Sequence, residues 1–190
     1  MSLVDALSRF LSLEPREEED RRRMVEFVRQ HPDPFNRSIT EGHFTGSGLV
    51  ISEDGSAVLL LFHKKLQRWL QPGGHGDSGE AEGERVAARE VAEETGLLPR
   101  LHPSAPRPFD VDIHTIPARK ADPEHEHLDL RYLFVAGRSE ALQAEEGEGA
   151  PIPEGSASLR WFDLEEALAM DIDPGLKRMI RKARVIMAKA

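Results

Sequence analysis

The sequence contains no cysteine among its 190 residues. This absence excludes structural disulfides, thiolate metal sites and a cysteine nucleophile. The sequence also lacks any apolar run approaching the roughly 20 residues that a membrane-spanning helix requires. Asp5 comes early, and no basic stretch precedes a long apolar block, which argues against a signal peptide. We therefore expect a cytoplasmic protein with no membrane partner.

Positive charge is also in short supply, with 25 Lys and Arg residues against 34 Asp and Glu residues and a net charge of -9. Such a surface disfavours non-specific nucleic-acid binding. It would also repel a polyphosphate unless a bound cation reversed the local field. The hydrophobic content of 39% and the mean hydropathy of -0.47 are typical of a folded protein. The negative net charge argues against a nucleic-acid partner.

The most informative segment is residues 73–97, where a glycine-rich loop leads into a short predicted helix. Glu90, Glu93 and Glu94 are spaced i, i+3 and i+4, so they share one helical face. Three carboxylates on one face repel each other, and a hard divalent cation such as Mg²⁺ or Mn²⁺ relieves that repulsion. The segment therefore predicts a metal site and phosphate chemistry. We expect the glutamates to face solvent. The predicted core face lies on the opposite side of the helix and comprises Ala88, Val91, Ala92 and Thr95.

Hydrophobic periodicity and turn signals predict a mixed α/β layout with helices packed on a sheet. The sequence predicts an N-terminal helical extension over residues 1–34 and a main domain over residues 35–190. The main domain ends in a further predicted helix from Asp173 onward. The predicted strands are 43–52, 57–62, 110–116, 127–136 and 158–163, with a helix at 82–95 and a helical turn at 164–169. Residues 63–79 are predicted to be loop, and the acidic, Gly- and Pro-rich residues 143–157 an exposed loop.

Residues 74–97 resemble the Nudix box, the signature of Nudix hydrolases. The back half of the box is matched by Arg89, Glu90, Val91, Glu93, Glu94, Gly96 and Leu97, and the front half by Gly74 and Glu80. The segment departs from the box at one point, because eight residues rather than seven separate Glu80 from Arg89. A one-residue insertion in the loop explains this difference, and Glu82 is the other candidate for the front glutamate.

The resemblance implies a Nudix-like mixed sheet sandwiched between helices, with extra N-terminal and C-terminal helices. It also implies a metal-dependent pyrophosphohydrolase in which water attacks phosphorus in a nucleoside diphosphate linked to another moiety. The metal, Mg²⁺ or Mn²⁺, would be held by Glu90, Glu93, Glu94 and the carbonyl of Gly74, while Arg89 ties a glutamate in place. The general base is one of the helix glutamates or a loop carboxylate, for which the candidates are Glu145, Glu146 and Glu154.

Several further side chains are candidates for substrate contact. His125 and His127 alternate and so share one strand face, next to His114 on the neighbouring predicted strand. Such histidines can bind zinc, hydrogen-bond a neighbour or line a substrate pocket. Trp69 can stack on a nucleobase or cover the core edge. The substrate-binding candidates are His75, Arg68, Trp69, His114, His127, Arg131 and Glu154.

Two other functions fit the same fold. One is a non-catalytic nucleotide-binding sensor, although sensors tend to lose box glutamates that this sequence keeps. The other is an isoprenoid-diphosphate isomerase, whose acid–base pair commonly includes a cysteine. The sequence leaves the substrate undetermined, since selectivity would depend on residues 98–109, 117–126 and 143–157. The terminal helices are consistent with packing elements or with a homodimer contact.

Overall fold

The computed structural model describes residues 2–64, 66–77, 79–119, 123–138 and 159–188. Its helices are α1 (Leu3–Arg9), α2 (Pro15–Gln30), α3 (Gly83–Thr95), α4 (Leu164–Ala169) and α5 (Pro174–Met187). Its strands are β1 (Gly42–Ser52), β2 (Ala57–His63), β3 (Arg68–Leu70), β4 (Gly73–His75), β5 (Arg100–Leu101), β6 (Asp110–Ile116), β7 (His125–Ala136) and β8 (Leu159–Asp163). No helix in the described part of the chain is long and apolar enough to cross a membrane.

The strands form one sheet in the order β3-β2-β1-β7-β5, with β4 also paired to β1, β6 to β7 and β8 to β2. The predicted β1–β2 hairpin is confirmed, and its turn contains Gly55 at a φ of 69°. The prediction that residues 63–79 are loop was wrong in part, because this segment contains β3 and β4. Trp69 of β3 is registered with Phe62, so β3 exists through its pairing with β2 rather than through its own sequence pattern. The mixed α+β class is confirmed.

The chain forms two compact units, each with its own apolar core. The first comprises Met1–Ser47, Gly73–Ala87 and Pro106–Tyr132, and the second comprises Gly48–Pro72, Ala88–Ala105 and Leu133–Ala190. The fully buried side chains of the first unit include Leu7, Met24, Phe44, Phe109 and Leu130. Those of the second include Leu59, Leu60, Val91, Met179 and Ile180.

Helix α2 is fixed to strand β6 within the first unit. Pro15 opens the helix at a position where its missing N–H is no loss. The buried Asp20 accepts a hydrogen bond from the backbone N–H of Ile113 at 3.3 Å, and Arg16 donates to the Ile113 carbonyl at 2.9 Å. Burial raises the pKa of Asp20, against the opposing effect of Arg16. The helix thus satisfies backbone groups of β6 with side chains.

Helix α3 packs directly against the backbone of β1. A Cβ at Gly46 would lie 2.7 Å from the Gly83 carbonyl oxygen and 2.8 Å from the Ala87 backbone nitrogen. The fully buried helix residues are Val86, Ala87 and Val91 together with Thr95, whereas Ala88 and Ala92 are only half-buried. The predicted core face was therefore correct for Val91 and Thr95 and wrong for Ala88 and Ala92, and it missed Val86 and Ala87. The close approach at Gly46 accounts for the two missed residues, because it brings the start of the helix against the strand.

We expect Gly46→Ala to lower the free energy of unfolding by about 1–3 kcal/mol, the usual penalty for overpacking. The added methyl group would meet helix backbone, which cannot rotate away as a side chain can. The matched control is Gly76→Ala, where the nearest heavy atom to a new Cβ is Phe35 Cδ1 at 3.4 Å. Urea denaturation of both variants checks this, and superimposable curves for the two would contradict it.

Candidate active site

Arg89 bridges two of the three box glutamates on α3. Its Nη1 donates to Glu90 Oε1 at 3.0 Å and to Glu93 Oε2 at 2.9 Å. The Glu90 side chain is 16% exposed, against 48% for Glu93. The expectation that all three glutamates face solvent was therefore wrong for Glu90, whose pair with Arg89 compensates for its partial burial. One guanidinium nitrogen thus lies between two carboxylates.

The end of α3 follows directly after Glu94, which is half-buried. Gly96, at a φ of 72°, donates its N–H to the Ala92 carbonyl at 2.8 Å and closes the helix as predicted. The Thr95 hydroxyl donates to the Val91 carbonyl and accepts from the Leu97 N–H. Leu97 is buried. The last helical turn carries Glu93 and Glu94. It is therefore fixed by the hydrogen bonds of Thr95 and Gly96 and by the burial of Leu97.

The two candidates for the front box glutamate occupy different environments. Glu80 is in the loop, where its Oε2 accepts from the Asp77 N–H at 2.9 Å and its own N–H donates to the Asp77 carbonyl. The backbone carbonyl of Glu82 accepts the first hydrogen bonds of α3, and its side chain pairs with Arg85 at 3.1 Å. Gly74 lies on β4 opposite Gly46 of β1. Which glutamate fills the front role stays a prediction.

A second cluster of titratable groups, which we call the histidine cluster, contains His43 of β1, His75 of β4, and His125 and His127 of β7. The ring centroid of His43 lies 5.0–5.1 Å from the ring centroids of the other three histidines. The Nε2 atoms of His75 and His127 are 3.1 Å apart, so one donates a hydrogen bond to the other. Within the described residues, the one group of three or more ligand atoms within 4.8 Å of each other comes from His43, His125 and His127.

Burial keeps most of the histidine cluster neutral. It lowers the pKa of His43 to about 4, with further lowering from His125 and Arg37. It likewise lowers the pKa of His75 to about 4, with further lowering from Arg37, and that of His127 to about 2, with further lowering from the neighbouring histidines. These imidazoles are therefore uncharged near neutrality. Sequence reasoning did not single out His43; the available signal was the alternation of His43, Thr45 and Ser47 along β1.

Arg131 lies in a buried ionic network rather than at an open surface. Its Nη2 is 3.0 Å from Asp112, its Nε donates to Asp129 at 2.9 Å, and Asp110 is 3.5 Å away. The Arg131 side chain is only 3% exposed. Burial lowers its pKa, but the three aspartates outweigh burial and raise it overall. The placement gives Arg131 a structural role.

Asp129 connects this network to β1. It accepts from the Thr45 hydroxyl at 3.0 Å and from the Ser47 hydroxyl at 2.7 Å, in addition to Arg131. Each contact joins groups that are buried from water. The two hydroxyl groups on β1 are therefore satisfied by β7, which explains how a fully buried strand carries Thr45 and Ser47.

The remaining substrate-binding candidates are dispersed. Arg68 is exposed on β3. Trp69 is half-buried, with its ring 4.8 Å from Phe162 in an edge-on contact. His114 is 44% exposed, and its Nδ1 lies 3.2 Å from Asp112. Glu154, like Glu145, Glu146 and the rest of the predicted loop at 143–157, falls outside the described residues.

Residues 42–183 match the family model described as the NUDIX domain, which covers well over half of the sequence. The chain belongs to the Nudix family. A Nudix-family hydrolase from Clostridium perfringens is 28% identical, with a TM-score of 0.54, covering 76% of this chain and 97% of that one. A comparison with curated protein sequences gives no match.

Two more solved structures share the fold of this Nudix chain. An Ap4A hydrolase from C. elegans, solved as a binary complex, is 18% identical with a TM-score of 0.56, covering 77% of this chain and 98% of that one. The NUDIX domain of NrtR from Shewanella oneidensis, complexed with ADP ribose, is 20% identical with a TM-score of 0.53. That match covers 86% of this chain and 97% of that one. At these identities the likeness concerns the fold alone.

Family membership and an intact box helix make this Nudix protein a pyrophosphohydrolase that acts on phosphorus-containing anhydrides. The family match begins at residue 42, so α1 and α2 precede it. The predicted boundary between an extension at 1–34 and a domain at 35–190 stays a prediction.

Proposed function

We propose that this Nudix hydrolase cleaves the pyrophosphate bond of a nucleoside diphosphate linked to another moiety, with Mg²⁺ or Mn²⁺ as cofactor. The observation that carries the proposal is the arrangement on α3, where Arg89 bonds Glu90 and Glu93 and a closed last turn presents Glu94. One fold neighbour was solved in complex with ADP ribose, and another is named as an Ap4A hydrolase. Both compounds are phosphoanhydrides. We take this chemical class as the substrate.

The donor set of α3 fits a hard divalent cation. Carboxylate oxygens are the ligands that Mg²⁺ and Mn²⁺ prefer, and three of them come from two successive turns of one helix. We assign Glu90, Glu93 and Glu94 as ligands, and a ligand role for the carbonyl of Gly74 stays a prediction. When bound, the ion supplies charge neutralisation at the phosphate oxygens and lowers the pKa of a coordinated water.

Arg89 is a positioning residue for this set. Since one of its nitrogens bonds both Glu90 and Glu93, it restricts the rotamers of two flexible side chains before any ligand arrives. Fixing a glutamate side chain otherwise costs up to about 2 kcal/mol of conformational entropy. The proton of the attacking water passes to an oxygen of one box glutamate or of a loop carboxylate such as Glu154.

Among the substrate-binding candidates, we retain Arg68 and His114, which are exposed. Arg68 can offer a charged donor to a phosphate oxygen. Trp69 already packs against Phe162, and Arg131 is enclosed by three aspartates, so we assign both to packing and stability. Substrate contact by residues of the acidic loop, Glu154 included, stays a prediction.

A panel assay tests the proposed function. The protein is incubated with ADP-ribose, Ap4A, nucleotide sugars and nucleoside triphosphates in the presence of Mg²⁺ or Mn²⁺, and products are identified by mass spectrometry. We expect a mononucleotide product from at least one compound, and ¹⁸O-labelled water identifies the phosphorus that was attacked. Binding of a panel member without turnover under either metal would favour the sensor alternative.

A further inference from the structure

The histidine cluster contains a buried polar group whose function the hydrolase site does not explain. His43 is 3% exposed, and neither of its ring nitrogens has a hydrogen-bond partner in the described part of the chain. Leaving a buried donor or acceptor unsatisfied costs about 1–3 kcal/mol. An imidazole placed in this way calls for a ligand that can bond to nitrogen.

We propose that His43, His125 and His127 form a site for a transition-metal cation of the Zn²⁺ type. The three residues come from adjacent strands of one compact unit, and their ligand atoms lie within 4.8 Å of one another. A metal at the centre of the three gives one ring nitrogen of His43 the partner that the described residues do not supply.

The spacing of the nitrogens suits such an ion. Zn–N bonds of about 2.0–2.1 Å in tetrahedral geometry place ligand nitrogens about 3.3 Å apart. The three rings therefore need to converge by at most about 1.5 Å from their 4.8 Å limit, which side-chain rotation can provide. His75 completes the surroundings, since its Nε2 already lies 3.1 Å from that of His127.

His125 is oriented in the manner of a metal ligand. Its Nδ1 lies 2.9 Å from the Pro123 carbonyl and donates to it, which fixes the tautomer and leaves Nε2 with a lone pair. Metal-bound histidines commonly donate their second nitrogen to a carbonyl or carboxylate in this way. His127 follows two residues later on the same face of β7.

The chemistry of this site differs from that of the box. Three neutral nitrogens select borderline metals such as Zn²⁺, whereas the carboxylate oxygens of Glu90, Glu93 and Glu94 suit Mg²⁺ or Mn²⁺. Three protein ligands leave a fourth position for water or for His75. The zinc-type site therefore does not depend on the proposed hydrolase function, and the two can fail separately.

The test measures zinc directly, on the full chain without an added histidine tag. Equilibrium dialysis against Zn²⁺ followed by elemental analysis should give about one ion per chain, and Co²⁺ should give the visible absorption of a tetrahedral complex. We expect His43→Gln and His125→Gln each to weaken zinc binding by at least about a hundredfold. His63→Gln is the matched control, because His63 is on β2, outside the histidine cluster, and its Nδ1 already accepts from the Leu66 N–H at 3.1 Å.

Zinc affinity measured on a double variant of the box shows whether the ion binds at the histidine cluster or at the box. Glu90→Gln combined with Glu93→Gln should leave zinc affinity unchanged, and loss of zinc in that variant would overturn the proposal. Zinc binding retained at wild-type affinity by His125→Gln, or no zinc bound by the wild type, would also overturn it. Because His43 is buried, circular dichroism checks that the His43→Gln variant is folded. If that variant is unfolded, the zinc affinity of His125→Gln decides the result, since His125 is only half-buried.

Discussion

Replacing Glu93 or Glu94 with glutamine is expected to lower kcat by about 10²–10³-fold or more while leaving the fold intact. Glutamine has the shape of glutamate but not its charge, and removing one preorganised electrostatic group from a catalytic site typically has an effect of about that size. The last turn of α3 is fixed independently by Gly96, Thr95 and the buried Leu97. The helix should therefore form without either carboxylate.

The matched control is Glu84→Gln, which removes a carboxylate from the same helix at a position that the box leaves variable. Glu84 is 39% exposed and lies 3.5 Å from Arg107. Its replacement should leave kcat within about twofold, since an exposed pair contributes about 0–1 kcal/mol. Steady-state kinetics on the substrate found in the panel, with circular dichroism of each variant, make the comparison. Wild-type turnover in both Glu93→Gln and Glu94→Gln would refute the assignment of the box.

Arg131→Met is expected to destabilise the protein by about 3–5 kcal/mol, because it leaves buried carboxylates without their counter-ion. Asp110, Asp112 and Asp129 all lie within 3.5 Å of the guanidinium, whose side chain is 3% exposed. Methionine fills part of the volume but offers no charge and no donor. Thermal or urea unfolding measures the loss.

Arg184→Met provides the comparison for this second prediction. Arg184 pairs with Glu165 at 2.7 Å, but its side chain is 51% exposed. Exposed pairs of this kind contribute about 0–1 kcal/mol, so the unfolding curve should hardly move. If Arg131→Met were as stable as Arg184→Met, and only substrate affinity fell, then Arg131 would be a ligand-binding residue after all.

Most of the elements could be predicted because their ends are encoded locally. Pro15 opens α2, Asp173 caps α5 by accepting from the N–H groups of Gly175 and Leu176, and Gly96 closes α3. Strands β3 and β4 could not be predicted in this way. Each has three residues, too few for an alternating pattern, and each is defined by the strand that pairs with it.

The box glutamates were predictable for the same local reason, since helical spacing alone places Glu90 near Glu93. His43 was not, because its partners His125 and His127 lie far along the chain and reach it only through the sheet. Arg131 shows the converse problem. A charged residue in a strand is expected to be exposed, and only the register of Asp110 with Arg131 and of Asp112 with Asp129 shows that two of its three counter-ions come from β6.

The close packing on both faces of β1 limits how this enzyme can be re-engineered. A larger side chain at Gly46 or Gly48 would destabilise the fold, since a Cβ at Gly48 would lie 2.6 Å from Val91. Thr45 and Ser47 are both hydrogen-bonded to Asp129. A mutant library that randomises these positions would return mostly insoluble or inactive clones. Diversity aimed at a new substrate belongs at exposed positions such as Leu98 and Glu124, where a new side chain meets solvent rather than the backbone of α3.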